Sequence, residues 1–227
     1  PLKLLSTFYE GETIGETWGY KTYGLFQSDE EVAKRGIDQT LFYKGAWAPG
    51  DLKYRDLDGD GVITQGQKKA DDHGDMTVIG NSTPRYHFGL YAGASYKGFD
   101  LSFRIQGVAN WSQWPGAGGQ SSFWGPTAGP GLGAVVLKGQ EDFWRYDNKN
   151  AFWPRPYRVA NSDPRINMNK GTSDRYLQNR AYMRLKALQI GYSLPASLTQ
   201  KIQASQLRLY FSGDNLITRT KYMFFDP

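Results

Sequence analysis

Hydrophobic and polar residues alternate between Tyr86 and Trp111, with one change of phase at Lys97–Gly98. Apolar residues occupy even positions before this dipeptide and odd positions after it: Tyr86, Phe88, Leu90, Ala92, Ala94, Tyr96, then Phe99, Leu101, Phe103, Ile105, Ala109 and Trp111. Because successive side chains of a strand point to opposite faces, the pattern predicts a hairpin with one apolar and one polar face. Each strand has about the ~9–11 residues with which a tilted strand crosses a bilayer.

The two faces of this hairpin suit a membrane barrel. The apolar face begins and ends in aromatic residues, as the aromatic girdles of such barrels do. The polar face carries Asp100, Arg104, Gln106 and Asn110, which suit a water-filled lumen. We therefore predict an all-β fold, an antiparallel transmembrane β-barrel segment, with Arg104 and Gln106 pointing into the lumen. A soluble sheet with one solvated face is the alternative.

Composition narrows the possibilities. The 227 residues are 39% hydrophobic and 15% aromatic, and they include no cysteine. No run of about 18 apolar residues occurs, so a spanning segment has to be a β-strand rather than a helix. The net charge of +5 is spread along the chain, which favours lumen and rim charges over nucleic-acid binding. Neither terminus resembles a natural chain end, so we expect a piece of a longer protein.

The same pattern analysis predicts strands at about residues 2–9, 15–26, 85–96, 99–111, 182–194 and 205–214. The apolar phase changes within the strand at 182–194, which predicts a bulge near Lys186–Ala187. Two long loops, 27–80 and 112–180, separate the strands. Barrels carry long loops on the outer side and short turns on the periplasmic side, so these loops should be extracellular and Lys97–Gly98 periplasmic.

An acidic stretch in the first long loop resembles the start of a calcium-binding loop. Carboxylates stand at positions 1, 3 and 5 of this loop, which are Asp56, Asp58 and Asp60. Val62 stands at position 7, where a calcium loop contributes a backbone carbonyl. The usual acid at position 12 is replaced by Gln67, so a later acid would have to complete the site: Asp71, Asp72 or Asp75. The stretch predicts a structural Ca²⁺ ion, and a loop of Asx-turns without an ion is the alternative.

Aromatic side chains of the second long loop are candidates for substrate binding, together with Arg104 on the barrel strand. Flat rings stack on sugar faces, and neighbouring polar groups bind hydroxyls. The candidates are Trp114, Trp124, Trp144, Trp153 and Tyr157. The alternative is that these rings pack the loop onto itself or onto a partner protein.

Catalytic chemistry finds little support in the sequence. The only histidines are His73, in the acidic loop, and His87, on a predicted strand. No nucleophile elbow, phosphate-binding loop or His-Glu-x-x-His motif occurs. We therefore expect that the protein is not an enzyme.

Several stretches, in this order along the chain, resemble the SusC/RagA family of TonB-linked outer-membrane transporters of Bacteroidetes. They are spread over most of the chain: Pro49–Ile63, Val78–Asn81, Tyr96–Ser102, Gln106–Val108, Trp144–Arg155, Tyr182–Lys186, Ile190–Tyr192, Ser212–Leu216 and Thr220–Tyr222. The resemblance implies that residues 1–227 are a C-terminal portion of one barrel of about 22 strands, with the plug and the N-terminal domains absent.

The resemblance also implies a function. It predicts an importer of oligosaccharides in the outer membrane of a Gram-negative bacterium, working with a SusD-like surface lipoprotein and energised by TonB through the missing N-terminal parts. Membrane lipid would contact the strands, and no nucleic acid would bind. Two alternatives remain: an importer of peptides, and a soluble calcium-dependent carbohydrate-binding β-domain.

Overall fold

A computed structural model describes residues 3–115, 121–124, 138–157 and 163–223. Contacts divide the chain into two units. Unit 1 comprises Pro1–Thr83 and Ser112–Gln178, and unit 2 comprises Pro84–Trp111 and Asn179–Pro227. Strands dominate, in agreement with the predicted all-β class. They are β1 (Glu16–Tyr20), β2 (Thr22–Leu25), β3 (Leu52–Tyr54), β4 (Met76–Asn81), β5 (Tyr86–Tyr96), β6 (Phe99–Ala109), β7 (Ser112–Gln113), β8 (Gln178–Asn179), β9 (Tyr182–Ser193) and β10 (Arg208–Thr220).

The helices are short. They are α1 (Asp29–Ala33), α2 (Ser121–Trp124) and α3 (Ala196–Thr199), with 3₁₀ turns at Lys138–Gln140, Pro164–Ile166 and Gln200–Ile202. Ser28 caps α1 by accepting a hydrogen bond from the backbone N–H of Glu31. Among the described residues, no helix is long and apolar enough to cross a membrane.

Unit 2 is a four-stranded antiparallel sheet in the order β10-β9-β6-β5. The hairpin β5–β6 pairs from Tyr86↔Ala109 to Tyr96↔Phe99. Lys97 (φ 48°) and Gly98 (φ 87°) form its two-residue turn, and two positive φ angles match the twist of the flanking strands. The structure confirms the hairpin that the alternation predicts.

The predicted bulge also lies where the change of phase puts it. Arg104 pairs with Ala187, but the next residue of β6, Ile105, pairs with Leu185, so Lys186 is left without an opposite residue. The β9–β10 register shifts at the same place, and Lys186 Nζ donates a hydrogen bond to Asn215 Oδ1 at 2.9 Å. The extra residue moves the apolar side chains that follow back to the same face of the sheet.

The described strands of unit 2 form an open sheet and no closed barrel. Large apolar side chains on one face remain more than half exposed, among them Tyr86, Leu90, Phe99, Leu209 and Phe211. A soluble sandwich would bury such a face against a second sheet. The exposed face therefore disfavours the soluble carbohydrate-binding alternative and fits a surface that meets lipid in a complete barrel.

Three strands differ from those predicted from the sequence. Residues 2–9 were expected to form a strand, but of the described residues only Leu4 pairs, in an isolated bridge with Lys69, because Thr7 N–H turns back to the Leu4 carbonyl. The strand expected at 15–26 is broken at Lys21 into β1 and β2, which pair with β4 and β3 respectively. The last strand starts at Arg208 and continues beyond residue 214 to Thr220, across the bulge.

Unit 1 contains the stretches expected as long loops, and it has its own core. The largest fully buried side chains come from distant parts of the sequence: Phe26, Leu52, Tyr54, Phe123, Trp153, Met168 and Tyr176. Gly171 permits this packing, because an added Cβ would lie 2.6 Å from Tyr54 Oη. The described parts of these stretches are therefore folded around a core.

Candidate functional site

The predicted substrate-binding tryptophans of the second long loop lie inside unit 1. Trp124, Trp144 and Trp153 are only 5%, 2% and 0% exposed. Trp153 stacks on Tyr176 with ring centroids 5.8 Å apart and planes 9° apart, and Phe123 meets Trp153 edge to face at 4.6 Å. These three tryptophans therefore pack unit 1, which favours the packing alternative, and a role of theirs in substrate binding stays a prediction.

Trp144 is held by a close backbone approach. Its indole covers Gly50, whose φ of +91° is in the left-handed region, and a Cβ at this glycine would lie 2.6 Å from Trp144 Cε3. The backbone N–H of Arg155 donates to the Gly50 carbonyl at 2.8 Å. Only glycine satisfies both the backbone angle and the available space.

Tyr157, another predicted substrate residue, hydrogen-bonds a buried acid. Its hydroxyl donates to Asp51 Oδ2 at 2.8 Å, and the backbone N–H of Ala48 donates to the same oxygen at 2.8 Å. Asn169 Nδ2 donates to Asp51 Oδ1 at 3.0 Å. Burial raises the pKa of Asp51, against these hydrogen bonds, which lower it. Burial likewise raises the pKa of Tyr157, and the negative charge of Asp51 adds to that effect. Tyr157 therefore orders the loop from its buried side.

Trp114 differs from Trp124, Trp144 and Trp153 because it is half-buried and lines a cavity of about 660 Å³ within unit 1. Other rings of the lining are Trp18, Tyr20 and Phe42. No sequence motif marks the polar residues of this cavity, because they are isolated threonines and a glutamine. Trp114 is therefore the predicted substrate tryptophan whose ring a ligand can reach.

Arg104 lies in unit 2 on the polar face of the sheet, and its side chain is exposed. The register places it in one row with Tyr91, Ala187 and Asp214 across the four strands. These residues border a shallow groove of about 340 Å³. Arg104 thus faces the polar side of the sheet, as expected.

The polar face also carries an ion pair. Arg208 donates to both oxygens of Asp100, at 2.5 and 3.1 Å, in a two-pronged contact. Gly191 lies beneath it, and an added Cβ there would be 2.4 Å from Asp100 Oδ2. A glycine on the middle strand thus makes room for a bridge between its two neighbours.

The acidic loop of unit 1 brings three carboxylates together. Ligand atoms of Asp56, Asp58 and Asp75 lie within 4.8 Å of one another. Asp75, one of the three acids considered for completing the loop, is fully buried, and it accepts hydrogen bonds from the backbone N–H groups of Leu57 and Thr64, both at 2.7 Å. Carboxylate oxygens are the ligands that Ca²⁺ prefers.

Asp60 of the predicted calcium site is outside this cluster, and the backbone carbonyl of Val62 stays a predicted ligand. Asp60 Oδ1 accepts the backbone N–H of Val62 at 2.7 Å, an Asx-type turn within the loop. The donor set therefore fits the calcium hypothesis at Asp56 and Asp58, with Asp75 as the third acid.

The carboxylates of the cluster have shifted acidities. Backbone hydrogen bonds from Gly61 and Gly59 lower the pKa of Asp56. A backbone hydrogen bond from Asp60 lowers the pKa of Asp58, but desolvation and the charges of Asp75, Asp60 and Asp56 outweigh it and raise that pKa overall. A bound cation would relieve this repulsion.

Similar proteins identify the class to which this arrangement belongs. No family model matches the chain. It is 31% identical over 221 residues to TonB-dependent receptor P3 of Formosa agariphila, in an alignment that covers 96% of the chain and 19% of the receptor. TonB-dependent receptor P26 of the same organism is 24% identical, with the same coverage of both chains. The chain thus spans about a fifth of the length of these curated relatives.

Solved structures give the same fold. The RagAB peptide transporter matches with a TM-score of 0.56 at 22% identity, over 94% of this chain and 20% of that chain. The RagAB peptide importer in the closed-closed state matches with a TM-score of 0.55 at 23% identity, over 96% of this chain and 21% of that chain.

Fold and relatives together define a stretch of a TonB-dependent transporter of the outer membrane of Gram-negative bacteria. The chain is similar to a stretch of TonB-dependent receptors and shares its fold with RagAB, which agrees with the resemblance to the SusC/RagA family. Its relatives carry the names of receptors and transporters, in agreement with the expectation that the protein is not an enzyme.

Proposed function

We propose that residues 1–227 form a C-terminal portion of the barrel of a TonB-dependent importer that takes up nutrient oligomers across the outer membrane. One observation carries the proposal. A sheet of 11- to 13-residue strands with an exposed apolar face occurs in a chain 31% identical to a TonB-dependent receptor. Lipid would cover the apolar face, and the polar face with Arg104 would line the lumen.

Oligosaccharides are the substrate class that we propose first. Half-buried rings beside uncharged hydrogen-bonding groups, as around Trp114, suit sugar rings. Peptides are the second candidate, because the structural neighbours carry the name of a peptide transporter.

Two partners are part of the proposal. A SusD-like surface lipoprotein would cover the extracellular side of unit 1, and TonB would act through a plug and N-terminal parts outside this chain. The two-protein name of the RagAB neighbour supports a lipoprotein partner.

We further propose a structural Ca²⁺ ion at Asp56, Asp58 and Asp75. The ion would tie the start of the acidic loop to the residue just before β4, across 19 positions of sequence. It would supply rigidity to unit 1, and the transport cycle would need no chemistry from it.

The function is tested with the whole transporter and its lipoprotein, produced in a host that carries or lacks TonB. Cells are supplied with labelled oligosaccharides and labelled peptides, and internalised label is measured. We expect that cells with TonB accumulate one of the two labelled classes, oligosaccharides or peptides, and that cells without TonB accumulate neither. Equal uptake in both hosts would contradict an energised importer and indicate a passive channel.

A further inference from the structure

The cavity beside Trp114 has the size and lining of a ligand pocket. Its volume of about 660 Å³ falls in the range of roughly 300–1,000 Å³ that is typical of small-molecule sites. Three half-buried rings contribute to its wall, Trp18, Phe42 and Trp114, together with the more deeply buried Tyr20. Rings of this kind offer flat apolar surface while the cavity stays open to solvent.

Uncharged polar side chains of the same cavity are free to bind a ligand. Thr17, Gln65 and Thr172 line it, and across the described residues their side chains form no hydrogen bond. Glu16, which also lines the cavity, is already engaged, because its carboxylate accepts hydrogen bonds from the Tyr9 hydroxyl at 2.9 Å and the Thr13 N–H at 2.9 Å. The uncharged groups available to a ligand are therefore hydroxyls and an amide, and the exposed ammonium of Lys68 also borders the cavity.

The position of Thr172 depends on a glycine of β1. The backbone N–H of Tyr20 donates to the Thr172 carbonyl at 2.8 Å, which brings this loop against the strand. An added Cβ at Gly19 would lie 2.5 Å from that carbonyl oxygen. The close approach places Thr172 at the cavity beside the rings of Trp18 and Tyr20.

We propose that this cavity binds one or two rings of a neutral oligosaccharide. The C–H face of a sugar would stack on Trp114 or Trp18, and its hydroxyls would bond Thr17, Gln65 and Thr172. The inference deepens the proposed import function and rests on it, since it assigns a substrate class and a site to the transporter.

A peptide suits this cavity less well than a sugar. Extended peptides commonly bind by adding a strand to a free sheet edge. β1 offers no such edge near the cavity, because one side pairs with β4 and the N–H of Tyr20 on the other side already donates to Thr172.

A second cavity of unit 1, of about 640 Å³, has a different character. Charged residues dominate its rim, including Glu30, Lys34, Arg35 and the ion pair between Glu31 and Lys53. Binding a neutral sugar there would remove water from these charged groups, and a ligand without charge forms no ion pair to offset that cost. The cavity beside Trp114 is therefore the better sugar site.

The test uses the purified whole transporter in detergent and calorimetric titration with neutral hexasaccharides of glucose, mannose and xylose, and with hexapeptides. Trp114→Ala removes a stacking surface, and we expect about tenfold weaker sugar binding. Thr172→Val keeps the side-chain volume and removes only the hydroxyl, and we expect about threefold to tenfold weaker binding. Tyr146→Ala is the matched control, since it removes an exposed ring of unit 1 outside the cavity.

Two results would overturn the pocket assignment. One is sugar binding that Trp114→Ala and Thr172→Val leave unchanged, and the other is a transporter that binds the peptides and none of the sugars. In both cases, uptake that still depends on TonB would leave the import function standing. Uptake that is independent of TonB would instead refute the import function, whatever the titrations show.

Discussion

Tyr157→Phe tests whether the buried hydrogen bond to Asp51 stabilises unit 1. The exchanged ring keeps its shape, so the change removes a single donor at 2.8 Å from a fully buried carboxylate. A hydrogen bond to a charged group contributes about 1.5–3 kcal/mol, and the lower end applies here because Ala48 and Asn169 still donate to Asp51. We expect a loss of about 1.5 kcal/mol in the local stability of this loop.

The pH dependence of this loss follows from the pKa of Asp51. Burial raises that pKa in the folded protein, so Asp51 itself favours folding at low pH and loses this contribution as pH rises through the folded value. The Tyr157 hydroxyl opposes the shift by favouring the ionised form. Its contribution is therefore full above the folded pKa and shrinks as pH falls, and Tyr157→Phe should cost more near neutral pH than in acid.

The assay is hydrogen exchange of the Leu52 backbone amide in the whole purified transporter. This N–H donates to Asn169 Oδ1 at 2.7 Å and so reports on the same buried network. A loss of about 1.5 kcal/mol should speed its exchange about tenfold. Tyr146→Phe is the control, because the Tyr146 side chain is 63% exposed. Equal exchange in both variants, or a larger effect in acid than at neutral pH, would refute the reasoning.

Three further predictions concern glycines and the acidic loop. Gly50→Ala should destabilise the protein by about 1–3 kcal/mol and so lower its midpoint of thermal unfolding, because the added Cβ would lie 2.6 Å from Trp144. Gly59→Ala is the control, because Gly59 has a similar φ but open space at its Cβ, so this variant shows the effect of backbone strain without the clash. Gly191→Val should displace the Asp100 carboxylate and reduce the yield of folded transporter in heat-modifiability gels, and an unchanged yield would contradict it. Ca²⁺ at a hundred times its dissociation constant should stabilise the protein by about 2.7 kcal/mol, and Asp58→Asn should abolish this stabilisation. A midpoint of thermal unfolding that Ca²⁺ leaves unchanged would refute the proposed calcium site.

The sheet of unit 2 is predictable because its information is local. The period of two between Tyr86 and Trp111, the turn at Lys97–Gly98 and the change of phase at Lys186 each concern neighbouring residues. A one-residue slip would turn every apolar side chain to the wrong face, so the pattern specifies the register strongly. Residues 3–9 show the limit of such predictions, since a short alternation without a partner strand forms turns instead.

Unit 1 is not predictable in this way because its contacts join residues far apart in sequence. Leu52 hydrogen-bonds Asn169 over 117 positions, and Thr22 bonds Asp174 over 152 positions. No local period encodes these pairs. The sequence shows that the second loop is rich in tryptophan, but it does not show which rings face inward.

The burial of Trp153 follows from the length of the loops. Ordering a residue costs about 1–2 kcal/mol of backbone entropy, so long segments stay folded only if they bury large apolar surfaces. Trp124, Trp153 and Tyr176 supply that surface, and their rings are buried as a consequence. Trp114 is half-buried, next to the core ring of Trp124 at 5.8 Å and on the wall of the cavity. Recognition in this unit is therefore expected at the margin of the aromatic core, where a ring is fixed on one side and accessible on the other.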